Sequence, residues 1–278
     1  MKEIIRKWYK LLEFPQKYDE EFEKALNEYE LPENVEVADY EQTDGKKNLL
    51  YLLYFCEDTQ KKYEEKGIDK KIMLDTFKDI VIWTDIWSGI EGELGLKEVN
   101  WLKQHLGLKL FKIGGLEFQI GKSYYSCSKI GMEKGENVID IHIAHGSDIS
   151  PENVKKSFKN AITFFEKYFP EHSFKYFTFG SWMMDDNLKK LLSENSNILK
   201  FQKNFVQADI TPEENYKALK YIFKWNTTKE NLSEFSATSS FAERIKEYVL
   251  NGGKLTWNAG AVAKKIICYE YKTKIKLI

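Results

Sequence analysis

The sequence is short of the features that usually announce a function. Three cysteines in 278 residues, Cys56, Cys127 and Cys268, are odd in number and far apart. That excludes a disulfide framework and a four-thiolate zinc site, and a reducing compartment is the simpler expectation. Long apolar runs are missing too. Met1 to Trp8 is interrupted by charge, and Asn48 to Phe55 is too short to cross a bilayer, so the expectation is a cytoplasmic chain with no membrane partner. Charge of one sign is absent: 42 Lys and Arg stand against 43 Asp and Glu, a net charge of −1. No global field therefore draws nucleic acid or an anionic surface. There is no Walker A loop, no Rossmann glycine fingerprint, and no Gly-x-Ser-x-Gly around Ser181. No internal repeat or low-complexity segment occurs.

What is present is core-forming material. At 42% hydrophobic and 31% charged, the chain can bury a substantial core as one large domain or two ordinary ones. Aromatic content is high at 15%, but no basic stripe accompanies the rings, which points to packing rather than base stacking.

The first hundred residues read as a helical bundle. Ile4, Ile5, Trp8, Leu11 and Leu12 fit one amphipathic helix, and Tyr18, Phe22, Ala25 and Leu26 a second. A longer helix carries Leu49, Leu50, Leu52, Leu53 and Phe55, another starts at an Asp69 N-cap and runs to about Trp87, and a short one spans Trp101 to Leu106. Leu110 to Ile120 then changes to alternation, as does Ser123 to Ile130 more weakly. From there the chain is mixed α/β.

Residues 138–206 hold the clearest logic. Val138 to Ala144 alternates with the period of two that places Ile139, Ile141 and Ile143 on one sheet face and Asp140 and His142 on the other. After a short loop, Ser150 as N-cap and Pro151 at the first helical position announce a helix with Val154, Phe158, Ala161, Ile162, Phe165 and Phe169 on one stripe. Phe174 to Met184 reads as a buried strand, Asn187 to Leu192 as a short helix, and Asn197 to Val206 as a third strand. Strand–helix–strand spacing of this kind favours a parallel pair joined by a right-handed crossover. Farther on, Thr211-Pro212-Glu213-Glu214 has the form of a capping box before a helix. A last helix around Phe241 to Leu250 stops at Gly252-Gly253. Closing strands are expected at Lys254 to Trp257 and Lys265 to Tyr271, with alternation continuing through Lys272 to Ile278.

From the residues alone, His142 is a candidate general base, because an imidazole accepts protons near neutral pH and Asp140 on the same face can orient it. A hydrogen-bonded histidine in a sheet surface is the competing structural role. A metal site on Asp140, His142 and His145 ranks well below the base, since spacing of three across a strand and its loop does not reliably converge two imidazoles. His105 and His172 sit in a helix and a helix-exit loop and add nothing.

Several separated segments, taken in order, carry a resemblance. They are Gly95 to Leu106, Leu110 to Phe118, Asp140-Ile141-His142-Ile143, Ser181-Trp182-Met183-Met184-Asp185 and Ser196 to Gln202. Together they resemble a family of bacterial GNAT-like acyltransferases with a helical N-terminal domain and a GNAT-like C-terminal domain. The resemblance implies an α/β (α+β) fold in which residues 1–108 form the helical domain and residues 109–278 a GNAT-like domain with a mixed, mostly antiparallel sheet flanked by helices. It further implies transfer of an acyl group, with acetyl the first expectation, from acetyl-CoA or another acyl-CoA to an amine by direct attack. No metal cofactor is expected. Pyrophosphate would sit on backbone amides of the loop entering the helix, here Ala144, His145, Gly146, Ser147 and Ser150, a helix N-terminus used as an anion site. The loop departs from the family pattern, with one glycine and with Asp148 and Glu152 where phosphates would sit, although carboxylates at a helix start are also ordinary dipole partners. His142, Asp140 and Ser181 become the candidate catalytic residues. Where the family pattern reads His-Ser-Trp, this chain has Gly180-Ser181-Trp182. The alternative is a non-catalytic GNAT-like module that binds a peptide or small molecule.

Overall fold

The computed structural model describes residues 1–31, 35–37 and 39–268. The chain divides into two compact units, Met1–Ile113 and Gly114–Ile278.

The first unit is helical, as its periodicity requires: α1 (Lys2–Leu11), α2 (Asp19–Glu28), α3 (Gly45–Glu65), α4 (Lys70–Glu91) and α5 (Val99–Leu106), followed by strand β1 (Leu110–Ile113). Asp69 caps α4 by accepting the Lys71 amide at 2.6 Å. Asp44 does the same for α3 at the Lys47 amide, 3.0 Å. The core is aromatic, with Trp8, Tyr51, Phe55, Tyr63 and Phe77 fully buried. Each contributes about 1.5–3 kcal/mol by leaving water. Trp8 pays its polar debt by donating Nε1–H to Glu57 at 2.8 Å, which ties α1 to α3. His105, read from sequence as uninformative, is wholly buried 3.3 Å from Asp79, whose Oδ2 also accepts the Trp83 and Trp101 indole N–H groups at 3.0 and 2.8 Å. Among the described residues no helix is long and apolar enough to cross a membrane.

The second unit is built on strands β2 (Leu116–Lys122), β3 (Asn137–His142), β4 (Tyr176–Ser181), β5 (Val206–Gln207), β6 (Glu213–Glu214) and β7 (Thr256–Ala263). Its order is β2-β3-β4-β7-β5, with β6 also pairing β7. Only β3 and β4 run parallel; every other pair here is antiparallel. The helices are α6 (Pro151–Tyr168), α7 (Leu188–Leu191), α8 (Asn197–Gln202), α9 (Ala218–Ile222) and α10 (Ser240–Leu250). The fold is thus mixed α/β with a mostly antiparallel sheet. Helix α6 is the crossover between β3 and β4, and its Phe158 meets Phe118 and Phe177 edge to face at 6.2 and 5.0 Å. The Ile139, Ile141 and Phe177 face is therefore the one α6 covers. Asp140 and His142 lie on the opposite face.

Four sequence readings are corrected. The expected strand Asn197 to Val206 is strand only at Val206, the first residue of β5: Ser196 caps α8 by accepting the Ile198 amide at 3.2 Å, and Phe201 packs on Phe179 at 5.0 Å. A good cap and a short helical contact outweigh weak alternation. The Thr211 capping box does not start a helix, because Glu213 and Glu214 pair with Trp257 and Thr256 instead. The helix waits until Ala218, with Asn215 Oδ1 accepting the Lys217 amide at 2.9 Å. The weak alternation of Ser123 to Ile130 yields a single bridge, Cys127 to Met132, and a 3-10 turn at Ser128–Ile130. One strand, β7, replaces the two closing strands: it begins two residues after Lys254, and residues 264–268 are helical. Residues 269–278, which hold the end of the expected Lys265 to Tyr271 strand and the alternation of Lys272 to Ile278, lie outside the described residues.

Gly180 marks a close approach in this sheet. A Cβ there would collide with the Trp257 ring. Gly180→Ala is expected to cost about 1–3 kcal/mol by overpacking. Thermal denaturation of Gly180→Ala, Trp257→Ala and the double variant checks this, with the two changes strongly non-additive.

Candidate active site

The parallel pair β3–β4 is registered over three positions only, Val138 to Tyr176, Ile139 to Phe177 and Asp140 to Thr178. Beyond them Ile141 and His142 stay paired with Phe118 and Glu117 of β2, while Phe179, Gly180 and Ser181 stay paired with Gly260, Ala259 and Asn258 of β7. Two neighbouring strands held on their outer sides but not to each other leave a cleft at their C-terminal ends.

Asp140 and His142 stand at its root. Thr178 donates its hydroxyl to Asp140 Oδ1 at 2.7 Å. His142 Nε2 lies 2.9 Å from Gln119 Oε1 and 3.5 Å from Asp140 Oδ2. Because a glutamine oxygen only accepts, this contact puts the proton on Nε2 and makes Nδ1 the basic nitrogen of the neutral ring. The Asp140 side chain keeps 31% of its surface, yet it is packed deeply enough that burial pushes its pKa up, against the opposing pull of His142 and Thr178. Burial, and then the Asp140 charge, push the Tyr125 phenol up as well; its hydroxyl donates to the Gly260 carbonyl at 3.3 Å.

Ser181 ends β4 on the other lip. Its Oγ accepts the Met183 amide at 3.2 Å, which caps the 3-10 turn Trp182–Met184 and leaves the hydroxyl proton for another acceptor. Where the family pattern has histidine before this serine, Gly180 is overlaid by Trp257. Asp185 is structural: it is buried and accepts the Asn187 and Thr256 amides at 2.9 and 2.8 Å.

The loop before α6 is also set. Ala144 is buried, His145 and Gly146 are exposed, and Gly146 takes φ +76°, which allows the turn closed by the Ser147 amide on the Ala144 carbonyl at 3.1 Å. The expected Ser150 side-chain cap does not form. Asp148 Oδ1 takes the Ser150 amide at 2.8 Å instead, and Oδ2 accepts from Asn153. Those bonds hold the Asp148 carboxyl below its usual range. The Ser147 and Ser150 amides are thus engaged inside the loop, whereas among the described residues no hydrogen bond engages those of His145 and Gly146.

The profile of the GNAT-like C-terminal domain matches residues 110–262, and that of the N-acyltransferase N-terminal domain matches residues 2–108. The chain belongs to the GNAT-like family. Solved structures agree at the level of fold. An acyltransferase variant in complex with octanoyl-CoA aligns with a TM-score of 0.79 and 20% identity, over 94% of this GNAT-like chain and 88% of its own. An acyltransferase in complex with decanoyl-CoA and teicoplanin gives the same TM-score, identity and coverage. Another, with CoA and 10C-teicoplanin, gives 0.68 and 23% over 77% and 65%. No curated protein matches the chain.

The raised Asp140 pKa fixes the sign of a pH effect. Its contribution to stability is complete below the ordinary aspartate value of 3.8 and is lost as pH rises through the higher folded value. Asp140→Asn keeps an acceptor for Thr178 and removes that loss. Its Tm relative to wild type is expected to climb with pH, reaching a gain of about 1–3 °C at pH 8. Melting curves at pH 4, 6 and 8 check it.

Proposed function

We propose that the protein transfers an acyl group from acyl-CoA to an amine, directly and within a ternary complex. The observation that carries the reading is the cleft where β3 and β4 part, with the Asp140–His142 pair at its root. The acyl-CoA and teicoplanin bound by proteins of the same fold support an acyl-CoA donor and a separate acceptor.

In this reading the thioester lies in the cleft. The amine nitrogen attacks the carbonyl carbon, its surplus proton passes to His142 Nδ1, and the C–S bond breaks to release CoA. Asp140, 3.5 Å from Nε2, stabilises the imidazolium, and Gln119 holds the ring in its productive tautomer. The Ser181 hydroxyl gives its proton to the leaving thiolate and regains one from His142 through solvent. Backbone amides at the strand ends polarise the carbonyl. The loop from Ala144 to Ser150 receives the pyrophosphate through the His145 and Gly146 amides, with Ser147 and Ser150 shaping the turn. Acetyl is the first acyl group to try.

One observation favours the rival, a binding module without chemistry: Asp148 and Glu152 put exposed carboxylates beside the proposed phosphate site. Calorimetric titration with acetyl-CoA, decanoyl-CoA and CoA decides between them. The enzyme reading expects saturable binding with Kd about 1–100 µM, weakened when Gly146→Trp forces a side chain onto positive φ. Absence of binding at millimolar ligand favours the module. His142→Ala should bind acyl-CoA with unchanged Tm and lose about 10²–10⁴-fold in turnover; unchanged turnover removes His142 from the mechanism.

A further inference from the structure

A cavity of about 520 Å³ opens in the second unit, between the turn after β4, helix α8 and the strands β5 and β7. Its size lies within the usual range for small-molecule sites. Met184, Leu199 and Phe205 give it apolar walls, and Gly260 lets Met184 and Phe205 settle on the strand, each 2.9 Å from where a Cβ would be.

Two buried amides in the lining are each half used. Asn258 is 1% exposed, and its Oδ1 accepts the Ala259 amide at 2.8 Å. Gln202 is 9% exposed, and its Nε2 donates to the Met183 and Asp185 carbonyls at 2.7 and 3.1 Å. These backbone partners fix which end of each amide is oxygen. They leave Asn258 Nδ2 as a donor and Gln202 Oε1 as an acceptor, and neither atom has a hydrogen-bond partner among the described residues. Both side chains are largely buried, but these two atoms face the open cavity rather than closed protein, where a ligand can complete their bonds. A fixed donor and a fixed acceptor in one small cavity, which Asp186, Lys189, Glu194 and Lys203 also line, suit a group that accepts and donates at once, as a secondary amide does through its carbonyl and its N–H.

We propose that this cavity is a binding subsite for a secondary amide, read by Asn258 Nδ2 at the carbonyl and by Gln202 Oε1 at the N–H. Asn258 is the cross-strand partner of Ser181, so the subsite adjoins the lip of the β3–β4 cleft. On the acyl-transfer reading the amide has two sources, the pantetheine arm of the donor or a peptide-like acceptor. The subsite itself requires only an amide.

The test is calorimetric titration of the full chain with pantetheine and, separately, with alanyl-alanine and its ester analogue, in which oxygen replaces the amide N–H. Saturable binding by either amide supports the subsite, and the one that binds names the source. The ester should bind at least tenfold more weakly than alanyl-alanine if the acceptor is the source. Asn258→Asp, which keeps the oxygen for Ala259 and removes the donor, should weaken the binding amide at least tenfold. Should that variant fail to fold, Leu199→Trp, which fills the cavity from the opposite wall, stands in for it. Binding by neither amide, or equal binding by folded wild type and both variants, overturns the proposal. CoA binding without any effect of these variants leaves the acyl-transfer reading standing while the subsite falls. Amide binding without CoA binding does the reverse.

Discussion

The acyl transfer proposed for this chain depends on how briefly β3 and β4 hold on to each other. A parallel pair needs a long crossover, and α6 supplies it, locked to the sheet through Phe158 against Phe118 and Phe177. The crossover fixes where the two strands start together, and β2 and β7 fix where they go afterwards. With outer partners retained to the last residue and inner pairing ending at Asp140–Thr178, the sheet stays a sheet while opening along one seam. Polar side chains gather there because the strand face away from α6 is not filled by its aromatic stripe.

The same seam explains the electrostatics. Asp140 is enclosed enough for its charge to be disfavoured, yet it has Thr178 and His142 within reach. A carboxylate in that position stabilises a cation forming on the imidazole better than a fully exposed one does, since water screens the pair less. The loop entering α6 shows the opposite balance. Asp148 is served by the Ser150 amide and the Asn153 side chain, which hold it in the turn ahead of the helix.

Much of this was legible in the sequence. The alternation of Val138 to Ala144 put Asp140 and His142 together on one face, and the structure brings them to 3.5 Å. Serine at the N-cap and proline at N1 placed the start of α6, although the serine side chain makes no cap bond and its own amide is held by Asp148, two residues earlier. Long helices with regular stripes were legible because burial repeats over many turns. Short elements were not. Residues 197–202 and 213–214 carry too few side chains for a pattern to outvote one cap or one strand partner. Gln119 and Thr178 went unnoticed as site residues because they reach Asp140 and His142 only through cross-strand register, which no local pattern encodes. Asn258 and Gln202 were missed for the same reason: their unused atoms exist only once Ala259, Met183 and Asp185 occupy the others.

The most direct test of the account is hydrogen–deuterium exchange of the backbone amides with and without saturating acyl-CoA. The seam predicts slowed exchange in two stretches distant in sequence, residues 141–147 and 179–181, with little change along the outer strand β2. Protection confined to other segments, or no protection at a ligand concentration that saturates binding, would contradict the claim that the cleft between β3 and β4 holds the thioester.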